Sequence, residues 1–111
     1  MVDYKPNQGD IIYLNFDPQS GHEQKGRRPA LVVSNRAFYN RTRFVMVCPI
    51  TSRQSDFPTH VLLDDSTGIT GEIMCEQVKC LDLLSRNPSY QESAPEHIVE
   101  RVIDIISAFM D

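Results

Sequence analysis

The sequence predicts a small, mostly β fold that ends in one amphipathic helix. The chain has 111 residues, of which 41% are hydrophobic and 23% are charged, and this balance fits a single globular domain over residues 1–111. Short apolar runs separated by turn residues fill the first two-thirds of the chain, and a helical period replaces them near the end. This order is typical of a barrel-like or α+β fold in which the helix covers one end.

The predicted strands are the apolar runs at residues 11–16, 29–34, 43–48, 60–63 and 72–81. Pro49 is expected to end the third strand, and residues 35–42 are expected to form a turn or a short helical piece. The last run has one slip in its alternation, which a β-bulge would explain. A long polar loop is predicted between the first two strands.

The C-terminal segment changes to a helical period. Ser93-Ala94-Pro95-Glu96 has the form of a capping box with proline in the first turn. Apolar residues then recur three or four positions apart, while polar residues occupy the opposite side; the apolar positions are Ile98, Val102, Ile105 and Phe109. One amphipathic helix is therefore expected to pack on the sheet.

Composition argues against several classes of protein. No run approaches the ~20 apolar residues of a membrane span, and the N-terminal residues lack the apolar core of a secretory signal. We therefore expect a cytoplasmic protein without membrane contact. Cys48, Cys75 and Cys80 are an odd number and do not suggest a disulfide framework. Without a Cys-x-x-Cys motif or a close histidine pair, we expect buried cysteines and no metal or cofactor.

Charge is distributed unevenly along the chain. The net charge at pH 7 is -4, but residues 24–55 carry seven basic residues and no acidic residue. A phosphate ligand responds to the local field more than to the total charge, so this stretch favours a surface that binds nucleic acid. The alternative is that the arginines are scattered over solvated loops.

Two segments that adjoin predicted strands carry the candidate functional residues. Residues 21–29 are rich in polar and ionisable groups, and Arg28 directly precedes Pro29. The proline biases Arg28 to extended geometry, and a guanidinium fixed there suits phosphate oxygens. Residues 48–54 add two hydroxyls and an arginine, and Arg28 and Thr51 would face one pocket if the second and third strands are neighbours. Solvated loops with ordinary turn hydrogen bonds are the alternative explanation.

Several motifs, taken in order, resemble the MazF/PemK family of toxin endoribonucleases. They are Gly9-Asp10, Phe16-Asp17-Pro18, Gly21-His22-Glu23-Gln24, Gly26-Arg27-Arg28-Pro29-Ala30, Pro49-Ile50-Thr51-Ser52 and Glu76-Gln77-Val78-Lys79. The resemblance implies a small SH3-like β-barrel of the MazF/CcdB type with a C-terminal helix, assembled as a homodimer. It also implies a toxin that cuts single-stranded RNA, usually mRNA, at short sequences. The expected partner is a cognate antitoxin whose acidic, disordered tail covers the RNA groove.

The resemblance also implies catalytic roles for Arg28, Thr51, Glu23 and His22. The arginine and the threonine match the family's catalytic pair, and the glutamate matches an acidic residue that some members need. The histidine matches a branch typified by the toxin Kid, in which an arginine and an aspartate complete the site. Met74 and Glu76 occupy those two positions here, and the lost arginine favours Arg28 with Thr51 as the catalytic pair.

RNA carries its own nucleophile, the 2′-hydroxyl, so acid–base help and charge stabilisation are enough to cut it without a metal ion. We expect Arg28 to stabilise the phosphorane, Thr51 to bind a phosphoryl oxygen, and Glu23 or His22 to act as the base. Phosphate contacts are predicted from Lys25, Arg27, Arg53 and Lys79. Stacking on bases is predicted for Phe57 and Tyr39, unless these rings belong to the core. Contacts to base edges are expected from Gln24, Asn40, Gln54 and Gln77, and the alternative is that these residues only lie on solvated loops. Ser52, beside Thr51, is a further predicted RNA contact.

Two other functions are compatible with the same sequence. A toxin with the related CcdB fold would bind and poison DNA gyrase without cutting anything, and it would not need Arg28 paired with Thr51. A plain SH3-like interaction domain would carry an aromatic cluster for proline-rich peptides. Tryptophan is absent here and the other aromatic residues are spread along the chain.

Overall fold

An antiparallel sheet and two helices form the described part of the fold. The computed structural model describes residues 4–16 and 26–111. Its elements are β1 (Asp10–Asn15), β2 (Arg27–Val32), α1 (Arg36–Thr42), β3 (Phe44–Thr51), β4 (His60–Leu62), β5 (Glu72–Met74), β6 (Lys79–Asp82), β7 (Ser89–Ser93) and α2 (Glu96–Ala108). Short 3₁₀ turns at Cys75–Gln77 and Leu84–Arg86 flank β6. The predicted class, mostly β with one C-terminal helix, is confirmed.

β3 is the central strand of the sheet. It pairs with β2 along one edge, and along the other edge it pairs first with β6 and then with β5. The main order is β4-β5-β3-β2-β1-β7. Among the described residues β4 and β7 do not pair with each other, so the predicted small barrel is an open one.

Apolar side chains form two clusters. Successive residues of a strand point to opposite faces, so Ile11 and Leu31 enter one cluster, and Ile12 and Ala30 enter the other. The first cluster also contains the buried face of α2, which comprises Ile98, Val99, Val102 and Ile106. Burial on both faces explains why the strand sequences are continuous apolar runs.

The third strand extends further than the sequence predicts. It continues through Pro49 to Thr51, and Pro49 lies opposite Ala30 of β2. On its other edge, β3 pairs with β6 up to Val47 and with β5 from Ile50 onward. Pro49 therefore lies in the gap between these two partners, where its missing N–H interrupts neither pairing.

The predicted strand at residues 72–81 is wrong in its continuity. The 3₁₀ turn at Cys75–Gln77 divides it into β5 and β6, so the slip in alternation marks a turn and not a bulge. The sequence does not predict β7 at all. This strand has no buried residue, so it lacks the apolar run by which the other strands are recognised.

The C-terminal helix begins two residues later than a capping box at Ser93 would require. Ser93 is instead the last residue of β7 and lies opposite Asp10 of β1, while Pro95 occupies the N-cap position without a side-chain hydrogen bond. The predicted apolar face is confirmed at Ile98 and Val102, whereas Phe109 lies beyond the helix and is 46% exposed. Neither helix in the described residues has the length and apolar character needed to span a membrane.

The three cysteines are free thiols. Cys48 and Cys75 are buried as the sequence predicts, whereas Cys80 is exposed and the prediction is wrong there. Contact with Cys75 and burial both raise the pKa of the Cys48 thiol. Cys75 and Cys80 lie in different elements and not on the single strand that the sequence suggests.

Candidate functional site

Arg28 and Thr51 come together because of the register between β2 and β3. Ala30 lies opposite Pro49, and continuing this antiparallel register by two residues sets Arg28 across from Thr51. Both side chains line one cleft of about 600 Å³. The expectation that these two residues face a common pocket is therefore confirmed.

The neighbouring strands extend this cleft. Thr51 lies opposite Glu72 of β5, and Met74 of β5 lies opposite His60 of β4. Side chains two residues apart share a face, so these positions belong to the face that carries Arg28. Six of the residues predicted from the sequence line the cleft: Arg28, Thr51, Ser52, Arg53, Phe57 and Gln77.

A close backbone contact fixes the end of β3. Gly71 has a φ of +130°, and a Cβ added there would lie 2.3 Å from the carbonyl oxygen of Thr51. Only glycine permits both the backbone conformation and the contact. Thr51 is 9% exposed, and its Oγ1 accepts a hydrogen bond from the backbone N–H of Arg53 at 3.2 Å. The hydroxyl proton is therefore the group that Thr51 can offer to a ligand oxygen.

Two smaller clefts adjoin the main one. One, of about 440 Å³, contains Arg27 and Tyr13 and shares Arg28 and Ser52 with the main cleft. The guanidinium of Arg27 donates to the carbonyl oxygen of Asn87 at 2.8 Å, which steadies it at the rim. A second cleft, of about 200 Å³, includes Gln54 together with Ser52 and Arg53. The predicted RNA contacts of Arg27 and Gln54 therefore lie next to the central cleft.

Other predicted contacts lie away from the cleft. Lys79 is on β6, and its Nζ is 5.8 Å from the centroid of the Phe16 ring. Tyr39 is 4% exposed and belongs to the second apolar cluster, so the core alternative is correct and stacking on RNA is not. Asn40 is exposed on α1, an element that contributes no side chain to the described cleft.

The basic stretch at residues 24–55 does not form one continuous surface. Arg28 and Arg53 line the cleft, but Arg36 donates to the carbonyl oxygens of Lys5 and Pro6 near the N-terminus. Arg43 lies over the ring of Tyr39, 5.4 Å from its centroid. The positive charge available to a ligand in the cleft is thus smaller than the sequence suggests.

The remaining candidates lie outside the described residues. They are His22, Glu23, Gln24 and Lys25. Their predicted roles as a general base, a base-edge contact and a phosphate contact therefore stay predictions.

His60 and two glutamates form a network, of which the sequence motifs identify only Glu76. The Nδ1 of His60 is 2.8 Å from Glu72, and its Nε2 is 2.9 Å from Glu76. Hydrogen bonds from His60, Ser55 and Asp56 hold the pKa of Glu72 below its usual value, although burial opposes this shift. The sequence also gives a signal for Glu72, because an acidic residue at the start of an apolar run needs a buried partner.

Both carboxylate oxygens of Glu76 also take part in hydrogen bonds. Its Oε1 accepts from the hydroxyl of Thr59 at 2.6 Å. Burial raises the pKa of Glu76, but the hydrogen bonds from Thr59 and His60 outweigh burial and lower it overall. Within residues 4–16 and 26–111, no group of three potential ligand side chains could hold a metal ion.

The cleft combines groups that suit a single-stranded polyanion. Arg28 and Arg53 supply permanent positive charge, and Thr51 supplies a neutral donor. Phe57 is 52% exposed at the rim, where an aromatic face can stack on a base. The side chains at the cleft can therefore bind a phosphate group and an unpaired base at the same time.

Curated relatives cover nearly all of this chain. It is 36% identical over 112 residues to the endoribonuclease toxin ChpB of Escherichia coli K12, covering 94% of this chain and 93% of the relative. It is 34% identical over 110 residues to the endoribonuclease PemK of Escherichia coli, covering 93% and 80%. It is 33% identical over 96 residues to the endoribonuclease toxin MazF of Escherichia coli K12, covering 86% of each chain.

Solved structures and a family model agree with these relatives. The fold matches crystalline MazF of Deinococcus radiodurans with a TM-score of 0.92 and 37% identity, over 97% of this chain and 98% of the other. A MazE–MazF structure from the same organism matches with a TM-score of 0.86 and 37% identity, over 97% of each chain. The model of the PemK-like, MazF-like toxins matches residues 7–110. The chain therefore belongs to the PemK-like, MazF-like toxins of type II toxin–antitoxin systems.

Proposed function

We propose that this protein is the toxin of a toxin–antitoxin pair and that it cuts single-stranded RNA at the cleft between β2 and β3. The observation that carries the proposal is the convergence of Arg28 and Thr51, from neighbouring strands, on one open cleft. The similar proteins PemK, ChpB and MazF are named endoribonucleases, which supports the same activity here.

The proposed reaction uses the RNA's own 2′-hydroxyl as nucleophile. A base removes the 2′-proton, the 2′-oxygen bonds to the adjacent phosphorus, and the bond from phosphorus to the 5′-oxygen breaks. A proton then goes to the leaving 5′-oxygen, so the products carry a 2′,3′-cyclic phosphate and a 5′-hydroxyl. This step consumes no water and needs no metal ion.

Arg28 and Thr51 would act on the phosphate during this step. The guanidinium of Arg28 stabilises the extra negative charge of the phosphorane, because it lines the cleft and carries a planar set of charged donors. The hydroxyl of Thr51 donates to a phosphoryl oxygen, since its own oxygen already accepts the N–H of Arg53.

We propose Glu23 or His22 as the general base. Glu76 is less suited to this role, because the hydrogen bonds from Thr59 and His60 lower its pKa and make it a weaker base. His22 would titrate near neutral pH, where a base is most effective.

The RNA would extend over the adjoining clefts, with Arg53 and Arg27 on its phosphates and Phe57 stacked on one base. Gln54 and Gln77 are proposed contacts to base edges, as is Gln24.

We further propose that the protein is a homodimer in the cytoplasm and that it binds an antitoxin whose acidic tail competes with RNA for the same cationic side chains. The match to a MazE–MazF structure supports such a partner.

The test is cleavage of a mixed-sequence RNA by purified protein. Arg28→Ala should reduce kcat by roughly 10²–10³, the usual effect of removing one transition-state donor. Arg41→Ala is the control, because it also removes one arginine, but this arginine is exposed on α1, away from the cleft. Product ends should be a 2′,3′-cyclic phosphate and a 5′-hydroxyl.

Full cleavage by folded Arg28→Ala would reject the proposed mechanism. Absence of cleavage by the wild-type protein on every RNA tested would favour the non-catalytic, gyrase-binding alternative. A substrate with 2′-deoxy nucleotides at every position should resist cleavage, because it lacks the nucleophile.

A further inference from the structure

His60 lies between two carboxylates in the cleft. It is the first residue of β4, and β4 and β2 lie on opposite sides of the central strand that carries Thr51. The side chain of His60 is 9% exposed and that of Glu72 is 3% exposed, so water scarcely reaches their contact. The side chain of Glu76 is 32% exposed and reaches the open part of the cleft.

The two carboxylate contacts determine the protonation state of the His60 ring. An ionised carboxylate only accepts hydrogen bonds, and a neutral imidazole has a single N–H to donate. The contacts of His60 with Glu72 and with Glu76 can therefore both be hydrogen bonds to ionised carboxylates only if the ring is the imidazolium. Burial lowers the pKa of His60, but the hydrogen bonds with both glutamates outweigh burial and raise it above its usual value.

This network supports the part of the cleft that faces solvent. Glu72 accepts the backbone N–H groups of Ser55 and Asp56, each at 3.2 Å, and so fixes the segment that follows β3. The ring of Phe57, in the same segment, has its centroid 5.2 Å from that of His60. His60 thus contacts both the exposed carboxylate and the exposed aromatic ring of the cleft.

We propose that His60 is a positioning residue for RNA, which as an imidazolium holds the carboxylate of Glu76 and the ring of Phe57 in place for a bound nucleotide. The inference rests on the RNA-cleaving function proposed above. His60 touches neither the scissile phosphate nor the nucleophile in this scheme, so its effect is on substrate binding more than on the chemical step.

Loss of the ring proton would have two consequences. Glu76 or Glu72 would face a nitrogen lone pair, and the cleft would lose one positive charge. The charged groups around the network are these two glutamates, with Arg28 and Arg53 along the same cleft. RNA binding should therefore weaken as the pH rises through the titration of His60.

The first test compares His60→Gln with the wild type from about pH 6 to about pH 9, a range that spans histidine titration. The variant should raise KM roughly tenfold near neutral pH, as loss of one charge-assisted hydrogen bond predicts, with kcat changed less than about threefold. Its KM should also lack the rise with pH that is expected for the wild type. His60→Lys keeps a cation and should restore a low KM at the alkaline end.

His97→Gln is the matched control. The ring of His97 also contacts a carboxylate, Asp64, at 3.1 Å, but it is 70% exposed and lies outside the cleft. This variant should keep the wild-type KM and its pH profile. An unchanged KM and pH profile in His60→Gln would overturn the inference while leaving the nuclease function intact.

A second measurement does not depend on RNA. Nitrogen-15 NMR of the histidine rings should show both nitrogens of His60 protonated at neutral pH, and Glu76→Gln should shift its titration to lower pH. A neutral His60 ring at pH 7 would overturn the inference whether or not the protein cuts RNA. Wild-type protein that cuts no RNA, with His60 doubly protonated, would instead reject the proposed function.

Discussion

The Gly71→Ala variant is expected to lose stability and RNA cleavage together. The added Cβ would lie 2.3 Å from the carbonyl oxygen of Thr51 and 3.1 Å from its carbonyl carbon, so backbone atoms would have to move. The φ of +130° adds strain of about 1–3 kcal/mol for any residue with a side chain. Overpacking typically adds about 1–3 kcal/mol more, which gives an expected loss of about 2–6 kcal/mol in the free energy of unfolding.

Two other glycines separate these contributions. Gly26 has a φ of +80°, and a Cβ added there would meet no atom within 4 Å, so Gly26→Ala should cost only the backbone strain of about 1–3 kcal/mol. A Cβ on Gly68 would meet only Oε2 of the Glu92 side chain, at 3.4 Å, and Gly68→Ala should change stability by about 0.5 kcal/mol or less.

Urea titrations followed by circular dichroism would measure the three variants. Cleavage of RNA by Gly71→Ala should be assayed at a temperature where the variant is folded, and it should fall because Thr51 is displaced. A Gly71→Ala protein that is as stable as Gly26→Ala, with wild-type cleavage, would refute the idea that close packing at Gly71 positions Thr51.

Three further predictions follow from the cleft. Phe57→Ala should weaken binding of an uncleavable 2′-fluoro RNA by about 1–3 kcal/mol, measured by fluorescence anisotropy, because one stacked base is lost; unchanged affinity would exclude stacking. Excess EDTA should leave cleavage unchanged, and a loss that added divalent metal restores would show that the reaction uses a metal ion. The free energy of unfolding should depend on pH on both sides of neutrality. The pKa values of Glu72 and Glu76 are lowered in the folded protein, so their stabilising contribution should decrease as the pH falls below 4.5, the ordinary pKa of glutamate. The pKa of His60 is raised, so its stabilising contribution should decrease as the pH rises above 6.5, the ordinary pKa of histidine. His60→Gln should remove the alkaline part of this dependence, and a wild-type protein with no alkaline loss would contradict the shift at His60.

The strands with apolar runs and the helical period of α2 could be predicted from the sequence, because burial on both faces of a sheet leaves a continuous apolar run and burial of one helix face leaves a helical period. Ile11, Leu31 and Val102 lie in the core where these patterns place them. β7 has no such pattern, because it has no buried residue and is defined by its hydrogen bonds to β1. The prediction that Pro49 ends the third strand was wrong. The partner of β3 changes from β6 to β5 near Pro49, so the missing N–H of the proline interrupts neither pairing.

The candidate site could be predicted only where a motif or the chemistry of a single residue, as at Arg53 and Phe57, identified it. Arg28 and Thr51 were identified by their motifs, and the register between β2 and β3 explains why they meet. His60 and Glu72 are twelve residues apart, and their contact depends on the pairing of β4 with β5. A contact of this kind depends on tertiary structure, and no local pattern in the sequence reports it.

The central claim is that Arg28 and Thr51 act on the same scissile phosphate. Single-turnover cleavage rates of the wild type, Arg28→Ala, Thr51→Ala and the double variant form a double-mutant cycle, which measures the coupling between the two side chains in the chemical step. The rate of the double variant should fall much less than the product of the two single losses, because each loss already impairs the same transition state. Losses that simply multiply, or a single variant that cleaves at the wild-type rate, would contradict the claim.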